Sequence, residues 1–423
     1  MCIIDILLLR LVATQFYTLV YLEFDMETQF ATAVSSGDDP RLVAEQSATT
    51  AVENVDADRV DFCQVFCSSL FDHEAAIDGV RSVIGDSAAL IGCSSTGEFS
   101  ESGSVDQGIA VALVTSDTIQ FHTGLGTELH DSVPLAVQDA LDEIPQPSDG
   151  YPYRSAVNIH DGLQGVSERL AVVLHRKLGP RVQIVGGAAS DNYELESTPV
   201  FCGDRIAEDA IAIATFDTQD RSVVAMDHGH EPISDLLEVT AVDDNIVREL
   251  NGEPAFDVWC AAVQEKVQTK FDTDIYELDP DGTELFKLLG FFEFGINQGD
   301  SYKIRWPRIH DSDAGSLQFT VGIPEGTVFR VMESTVDSQI ESARATAVAA
   351  DELADQEYAG GFIYDCACRE IVLQEEFETA VAAMSDELGA PFIGFETYGE
   401  MYMEMGQTSG AHNTSTVIQL LPK

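Results

Sequence analysis

An eight-residue phrase occurs twice in this chain, and it limits the fold more than any other feature. Ile91-Gly92-Cys93-Ser94-Ser95-Thr96-Gly97-Glu98 returns about 300 residues later as Ile393-Gly394-Phe395-Glu396-Thr397-Tyr398-Gly399-Glu400. Each copy follows an apolar run and reads I-G-x-x-[ST]-x-G-E. The glycines admit the positive φ that a tight turn needs. Two copies so far apart imply two related halves, each presenting a glycine-framed polar loop at a strand end. Such loops are where α/β scaffolds keep their ligands.

The surrounding pattern extends the repeat. Residues 60–67 alternate and then run apolar, as a strand does, residues 72–84 space Ile77, Val80 and Ile84 for one helix face, and residues 88–92 form a strand ending in the first loop. The same order returns at 155–160, 164–178 and 182–186, ending in Gly186-Gly187-Ala188-Ala189-Ser190-Asp191, and again at 361–366, 376–388 and 391–395. The fold class expected is a mixed α+β / α/β protein. Repeated β-α-β-β units would form mixed sheets flanked by helices, in two domains. Residues 108–114 and 118–122 read as a hairpin across Ser116-Asp117. An acidic stretch at 231–254, with Asn251-Gly252-Glu253-Pro254 as turn material, reads as a linker between a domain at 26–230 and one at 255–423.

Charge narrows the setting. Asp and Glu number 73 against 22 Lys and Arg, a net −51, and the acids are spread through the whole chain. Hydrophobic residues still make up 45%, which supplies cores and argues against disorder. Such a charge repels itself at moderate salt. At about 1 M salt the Debye length falls to roughly 3 Å and the repulsion is screened. The reading is a cytoplasmic protein of an extreme halophile, with an unusually acidic mesophile protein as the alternative. Nucleic acid is excluded as a partner, because no basic stripe can release its counterions. Residues 1–25 are apolar but carry Asp5 and Arg10, and they lack a signal-peptide layout. They read as an extension upstream of the true start at Met26; a membrane anchor, made unfavourable by Arg10, and an extra packed helix are the alternatives.

The eight cysteines show no CxxC pair and no zinc spacing with His, and most lie in apolar runs, as reduced buried thiols do. No metal is expected. Cys93 and Cys366 are the candidate nucleophiles, but nothing in the sequence sets a base beside either. No HExxH, Walker loop or GxSxG elbow is present.

With these residues in hand the chain resembles FIST proteins, a FIST N-terminal domain followed by a FIST C domain. The N-terminal part of the resemblance is carried by residues 60–67, by Ile91 to Glu98 and by Val185-Gly186-Gly187-Ala188-Ala189-Ser190-Asp191. The C-terminal part is carried by Gly361-Phe362-Ile363-Tyr364-Asp365-Cys366-Ala367-Cys368-Arg369, by Pro391 to Glu400 and by His412-Asn413-Thr414. The resemblance implies a non-enzymatic sensory protein of signal transduction that binds a small ligand such as an amino acid. No kinase, cyclase or receptor sequence is fused to it, so the partner expected is a separate signalling protein such as a kinase or receptor. Some relatives resemble haem-dependent gas sensors, and His160, His175 and His412 would be the haem candidates here; no cofactor is the leading expectation.

The loop hydroxyls and backbone N–H groups of Ser94, Ser95 and Thr96 could hold a carboxylate or phosphate; the alternative is a turn that satisfies itself. Glu396, Thr397 and Tyr398 are their counterparts, Tyr398 adding an aromatic wall. Glu98 and Glu400 could pair with a ligand ammonium or simply lie at the surface. Arg369, in a chain poor in cations, could fork onto a ligand carboxylate or serve a structural salt bridge. These nine residues form the predicted ligand site. The remaining alternatives are a thiol-dependent hydrolase or transferase using Cys93 or Cys366, a haem-binding gas sensor and a ligand-free scaffold.

Overall fold

The first unit shows how local chemistry sets the elements. Strand β1 (Gln29–Ser36) leads to helix α1 (Pro40–Glu53), where the Asp39 carboxylate caps the N–H groups of Arg41 and Leu42 and Val43, Ala44, Ala48 and Ala51 form the buried face. Strand β2 (Phe62–Ser68) is buried along its whole length. Helix α2 (His73–Ile84) starts at an Asp72 cap and stops at Gly85, whose φ of 75° would strain another residue. Strands β3 (Ala89–Ser95), β4 (Glu98–Ser100), β5 (Gly103–Val105) and β6 (Gly108–Thr115) complete the unit. These coordinates are a computed structural model that describes residues 27–55, 59–105, 107–299, 301–404 and 410–423. The expectations for residues 1–25 and for a start at Met26 lie outside the described residues.

The second unit repeats that order: β7 (Ile119–Thr127), α3 (Val133–Asp142), β8 (Tyr153–His160), α4 (Ser167–Leu178), β9 (Gln183–Ala188), β10 (Val200–Cys202), β11 (Arg205–Ala207) and β12 (Ala210–Thr218). The third unit opens with β13 (Val223–Asp227) and is then interrupted. The insertion contains β14 (Glu231–Pro232), β15 (Leu237–Asp243), β16 (Ile246–Leu250), β17 (Glu253–Pro254), α5 (Ala255–Phe271) and α6 (Thr283–Phe291). It continues with β18 (Phe294–Asn297), β19 (Tyr302–Arg305), β20 (Pro307–Asp311), β21 (Ser316–Phe319) and β22 (Val328–Glu333). The unit resumes with α7 (Val336–Leu353), β23 (Tyr358–Cys366), α8 (Ala367–Leu373), α9 (Phe377–Leu388), β24 (Phe392–Thr397), β25 (Glu400–Met403), β26 (Ala411–His412) and β27 (Thr416–Pro422). The mixed α/β class expected from the repeat is the one observed.

The sheets join the units in a ring. Among the described residues, three six-stranded sheets share one order, β1-β6-β2-β3-β10-β11, β7-β12-β8-β9-β25-β26 and β13-β27-β23-β24-β4-β5. The parallel pairs β2/β3, β8/β9 and β23/β24 lie at equivalent places. After its glycine loop each unit gives a short strand to a neighbour. β4 pairs with β24 of the third unit, β25 with β9 of the second and β10 with β3 of the first. The sheets face one another across a shared apolar core. Phe62, Phe216 and Phe362, one from each sheet, form its centre, with ring centroids 4.9, 5.9 and 5.9 Å apart.

Two expectations are corrected. Residues 108–114 and 118–122 do not form a hairpin. β6 lies between β1 and β2 in one sheet, while β7 pairs with β12 in another, so the Ser116 turn passes from one unit to the next. Residues 231–254 do not form a bare linker either: they supply β14 to β17 of a nine-stranded sheet with its own core around Trp259, Phe294, Phe319 and Phe329. Leu237 and Val239 point inward while Glu238 and Thr240 face solvent, and the charges on the outer face hide the alternation. The insertion is tied to the second unit where Lys303 and the buried Arg305 of β19 both reach Glu168 of α4, Lys303 at 2.6 Å.

Candidate functional site

All three glycine loops meet at the C-terminal ends of the parallel strand pairs. Ser190, from the second unit, touches the other two loops with one side chain. Its Oγ accepts the Thr96 N–H at 2.9 Å and donates to the Glu396 carbonyl at 2.5 Å, while its N–H donates to the Ser94 carbonyl at 3.2 Å. Further bonds close the ring: the Glu396 N–H to the Gly97 carbonyl at 3.0 Å, Tyr398 N–H to the Ala188 carbonyl at 3.2 Å and Asn192 N–H to Thr96 Oγ1 at 3.1 Å. The Glu396 carboxylate closes against this loop, its Oε1 2.6 Å from where a Cβ at Gly97 would lie.

The repeated motif has a repeated job inside each loop. Ser95 Oγ donates to Glu98 Oε1, and the Gly108 N–H donates to the other oxygen at 3.0 Å. In the second copy Thr397 Oγ1 donates to Glu400 Oε1 at 2.7 Å, and the Ser415 N–H and Oγ donate to Oε2 at 3.0 and 2.7 Å. Each glutamate therefore pins its loop to the start of the last strand region of its unit. Both are buried. They are engaged within the fold and do not lie at the surface. Desolvation pushes the Glu400 carboxyl up to about 8 despite these bonds.

Arg369 is also held internally. It is fully buried in the first turn of α8, with Nε 2.6 Å from Asp365 Oδ1, and it donates to the Gln339 carbonyl at 2.9 Å and Ser342 Oγ at 3.0 Å. Of its two readings, the structural salt bridge is the one these contacts describe.

The part of the junction nearest the surface is aromatic and strained. Tyr398 OH donates to Asp191 Oδ1 at 2.6 Å and accepts the Tyr193 N–H at 2.6 Å. Asp191 also accepts the N–H groups of Leu195, Glu196 and Ser197 at 3.1, 2.7 and 3.0 Å, folding the loop over the junction. Asn192, Tyr193 and Leu195 all have positive φ, at 58°, 63° and 56°. Left-handed backbone costs a non-glycine residue of order 1–3 kcal/mol and persists where the surroundings impose it. The Tyr193 ring lies 6.1 Å from Tyr398 and 6.4 Å from Phe286 of the insertion. Burial raises the pKa of both tyrosines, so both keep their protons. In the first loop Ser94 Oγ is buried without a protein hydrogen-bond partner among the described residues.

The structure thus brings Ser94, Ser95, Thr96, Glu98, Glu396, Thr397, Tyr398 and Glu400 into one junction, with Arg369 on the helix that follows the neighbouring strand β23. The sequence reading omitted Ser190, Asp191 and Tyr193. Their signal was present in the second unit's diverged copy of the loop, where the closing Gly-Glu is absent.

The two thiols are poorly placed for nucleophilic work. Cys93 and Cys366 are buried, and burial followed by neighbouring groups, Glu98 beside Cys93, pushes both well above the ordinary range. A reactive thiol needs the opposite shift. Of the haem candidates, His160 has both ring nitrogens in hydrogen bonds, to Asn158 Oδ1 at 3.1 Å and Ser167 Oγ at 2.9 Å. His175 lies in the last turn of α4 and His412 on β26, so the histidines come from separate elements.

Comparison with known proteins agrees with this architecture. Residues 61–253 match the FIST N domain and residues 255–403 match the FIST C domain. An uncharacterized protein of Methanocaldococcus jannaschii, MJ1623, is 24% identical over 215 residues, which cover 48% of this chain and 39% of that protein. The chain thus matches about two fifths of that relative's length. Among solved structures, a cyanuric acid hydrolase from A. caulinodans matches 45% of this chain and 72% of its own at 12% identity and a TM-score of 0.24.

Proposed function

Given that the chain joins a FIST N domain to a FIST C domain, we propose that it is a non-enzymatic sensor of a small polar metabolite, such as an amino acid, bound at the three-loop junction. The observation that carries this reading is the strained clamp at residues 192–195, held over the junction by Tyr398 from the other domain. Strain of this kind collects at ligand clamps. The unpartnered Ser94 hydroxyl and the Tyr398–Asp191 pair offer polar contacts to a ligand that enters beneath the clamp. Because the loops belong to three different sheets, a ligand that prefers one spacing of them biases the arrangement of both domains. A separate signalling protein, a kinase or receptor, reads that arrangement.

The setting proposed is the cytoplasm of a salt-accumulating halophilic archaeon, which the net charge of −51 supports. Among the described residues no helix is long and apolar enough to cross a membrane.

The test is thermal denaturation in molar potassium chloride against a panel of amino acids and related metabolites. A ligand at about a hundred times its Kd should stabilise the protein by about 2.7 kcal/mol. Tyr398→Phe should weaken that effect. A ligand that protects the variant as well as the wild type would move the site elsewhere, and a flat response across the panel would count against metabolite sensing.

A further inference from the structure

A cavity of about 470 Å³ opens at the N-terminal ends of β8 and β9, the end of the second unit opposite its glycine loop. Its lining carries Arg154, Lys177, Arg181 and Arg221, four of the chain's 22 cations, and none of its 73 acids. The four come from separate places: β8, the last turn of α4, the turn before β9 and the loop between β12 and β13. In a molecule of net charge −51, this is a local reversal of sign.

The cations are not equivalent. Arg154 forks onto the buried Asp217 at 2.5 and 2.6 Å, so its charge is matched and its position fixed. Lys177 Nζ donates to Gln138 Oε1 at 2.6 Å, a neutral partner that leaves its charge in place. The Arg221 guanidinium lies 5.4 Å from the Tyr153 ring centroid, making one aromatic wall. Arg181 is exposed at the rim, while Ile144, Leu178 and Val182 supply an apolar floor. Beyond the Tyr153–Arg221 pair the adjoining hollow turns acidic, with Asp220 next to Arg221 and with Glu352, Asp355, Glu357 and Glu404. The positive region is therefore confined to this cavity.

We propose that the cavity binds a small organic anion, a phosphate or carboxylate group carried on a flat apolar body. The net charge repels anions only at low salt, and at molar salt that repulsion is screened. At molar salt the Debye length is about 3 Å, and long-range attraction contributes little. Recognition then rests on contact hydrogen bonds, which guanidinium groups make in pairs to phosphate or carboxylate oxygens. The apolar floor and the Tyr153 wall hold the ligand body. This site is separate from the loop junction and does not depend on the sensor reading.

Isothermal titration of the full chain in molar potassium chloride tests the assignment with phenyl phosphate and benzoate, and with inorganic phosphate and phenol as the separate halves. Saturable binding of phenyl phosphate or benzoate, tighter than either half, is expected, and the tighter of the two identifies the head group. Arg181→Gln and Arg221→Gln should each weaken binding roughly tenfold with unchanged melting temperature. Arg248→Gln, a remote surface change beside Asp243 in the insertion, should bind as the wild type does. The proposal fails if neither probe saturates. It also fails if the Arg181 and Arg221 variants bind like wild type, or if Arg248→Gln weakens binding equally.

Discussion

Glu400 is 1% exposed and accepts three hydrogen bonds, yet desolvation pushes its carboxyl from an ordinary 4.5 up to about 8. Between those values the native protein holds a proton that the unfolded chain has released. The contribution to stability is fully present below about 4.5 and is lost as pH rises through about 8. Glu400→Gln, which keeps the shape without the titration, should flatten the fall in melting temperature between these limits, measured in molar potassium chloride. An unchanged pH profile would mean that Glu400 stays ionised throughout. This behaviour was hard to read from sequence. The repeat singled out Glu98 and Glu400, but among 73 acids a glutamate looks like solvated surface. What marks these two as internal is the hydroxyl three residues earlier, Ser95 or Thr397, which can bond back across the turn. Ser190 and Asp191 escaped the predicted site because the second unit lacks the closing Gly-Glu.

At the scale of elements, the short strand after each glycine loop decides the assembly. Where β4 meets β24, Gly394 opposes Phe99, and a Cβ at 394 would come within 2.2 Å of the Phe99 ring. Gly394→Ala should therefore cost about 1–3 kcal/mol, the usual range for overpacking. The cost should shrink in a Phe99→Leu background, because the two positions share one space. Chemical denaturation of the four proteins checks this, and additive costs would show that the ring is not what the glycine accommodates. The repeated elements were legible because helix and strand periods recur in order. Exchange was not, because a strand of three or four residues such as β4 or β10 carries no period of its own. For the same reason the alternation at 108–122 suggested a hairpin: sequence shows that two strands are adjacent in the chain, not that they pair.

The exchange also sets what the whole molecule can do. β4 and β5, from the FIST N domain, complete a sheet of the FIST C domain, and β25 and β26 return the arrangement by extending the sheet of β9. The central core draws on both, with Phe62, Phe66 and Phe216 packed among Phe362, Tyr364 and Phe395. A fragment of residues 27–230 would leave the β9 edge unpaired and this core half exposed. Open edges and bare apolar faces favour association over folding. That fragment should show no cooperative melting in molar potassium chloride, and mixing it with residues 231–423 should restore a transition near that of the intact chain. Circular dichroism of the fragment alone, together with the mixture, decides the matter: a fragment that melts cooperatively at the intact chain's temperature would show that the exchanged strands are ornaments of two independent domains. If it does not, the junction of three loops exists only in the joined molecule. On the proposed reading, a ligand held there would report on the pairing of the two domains, because each loop at the junction adjoins a strand supplied by another unit.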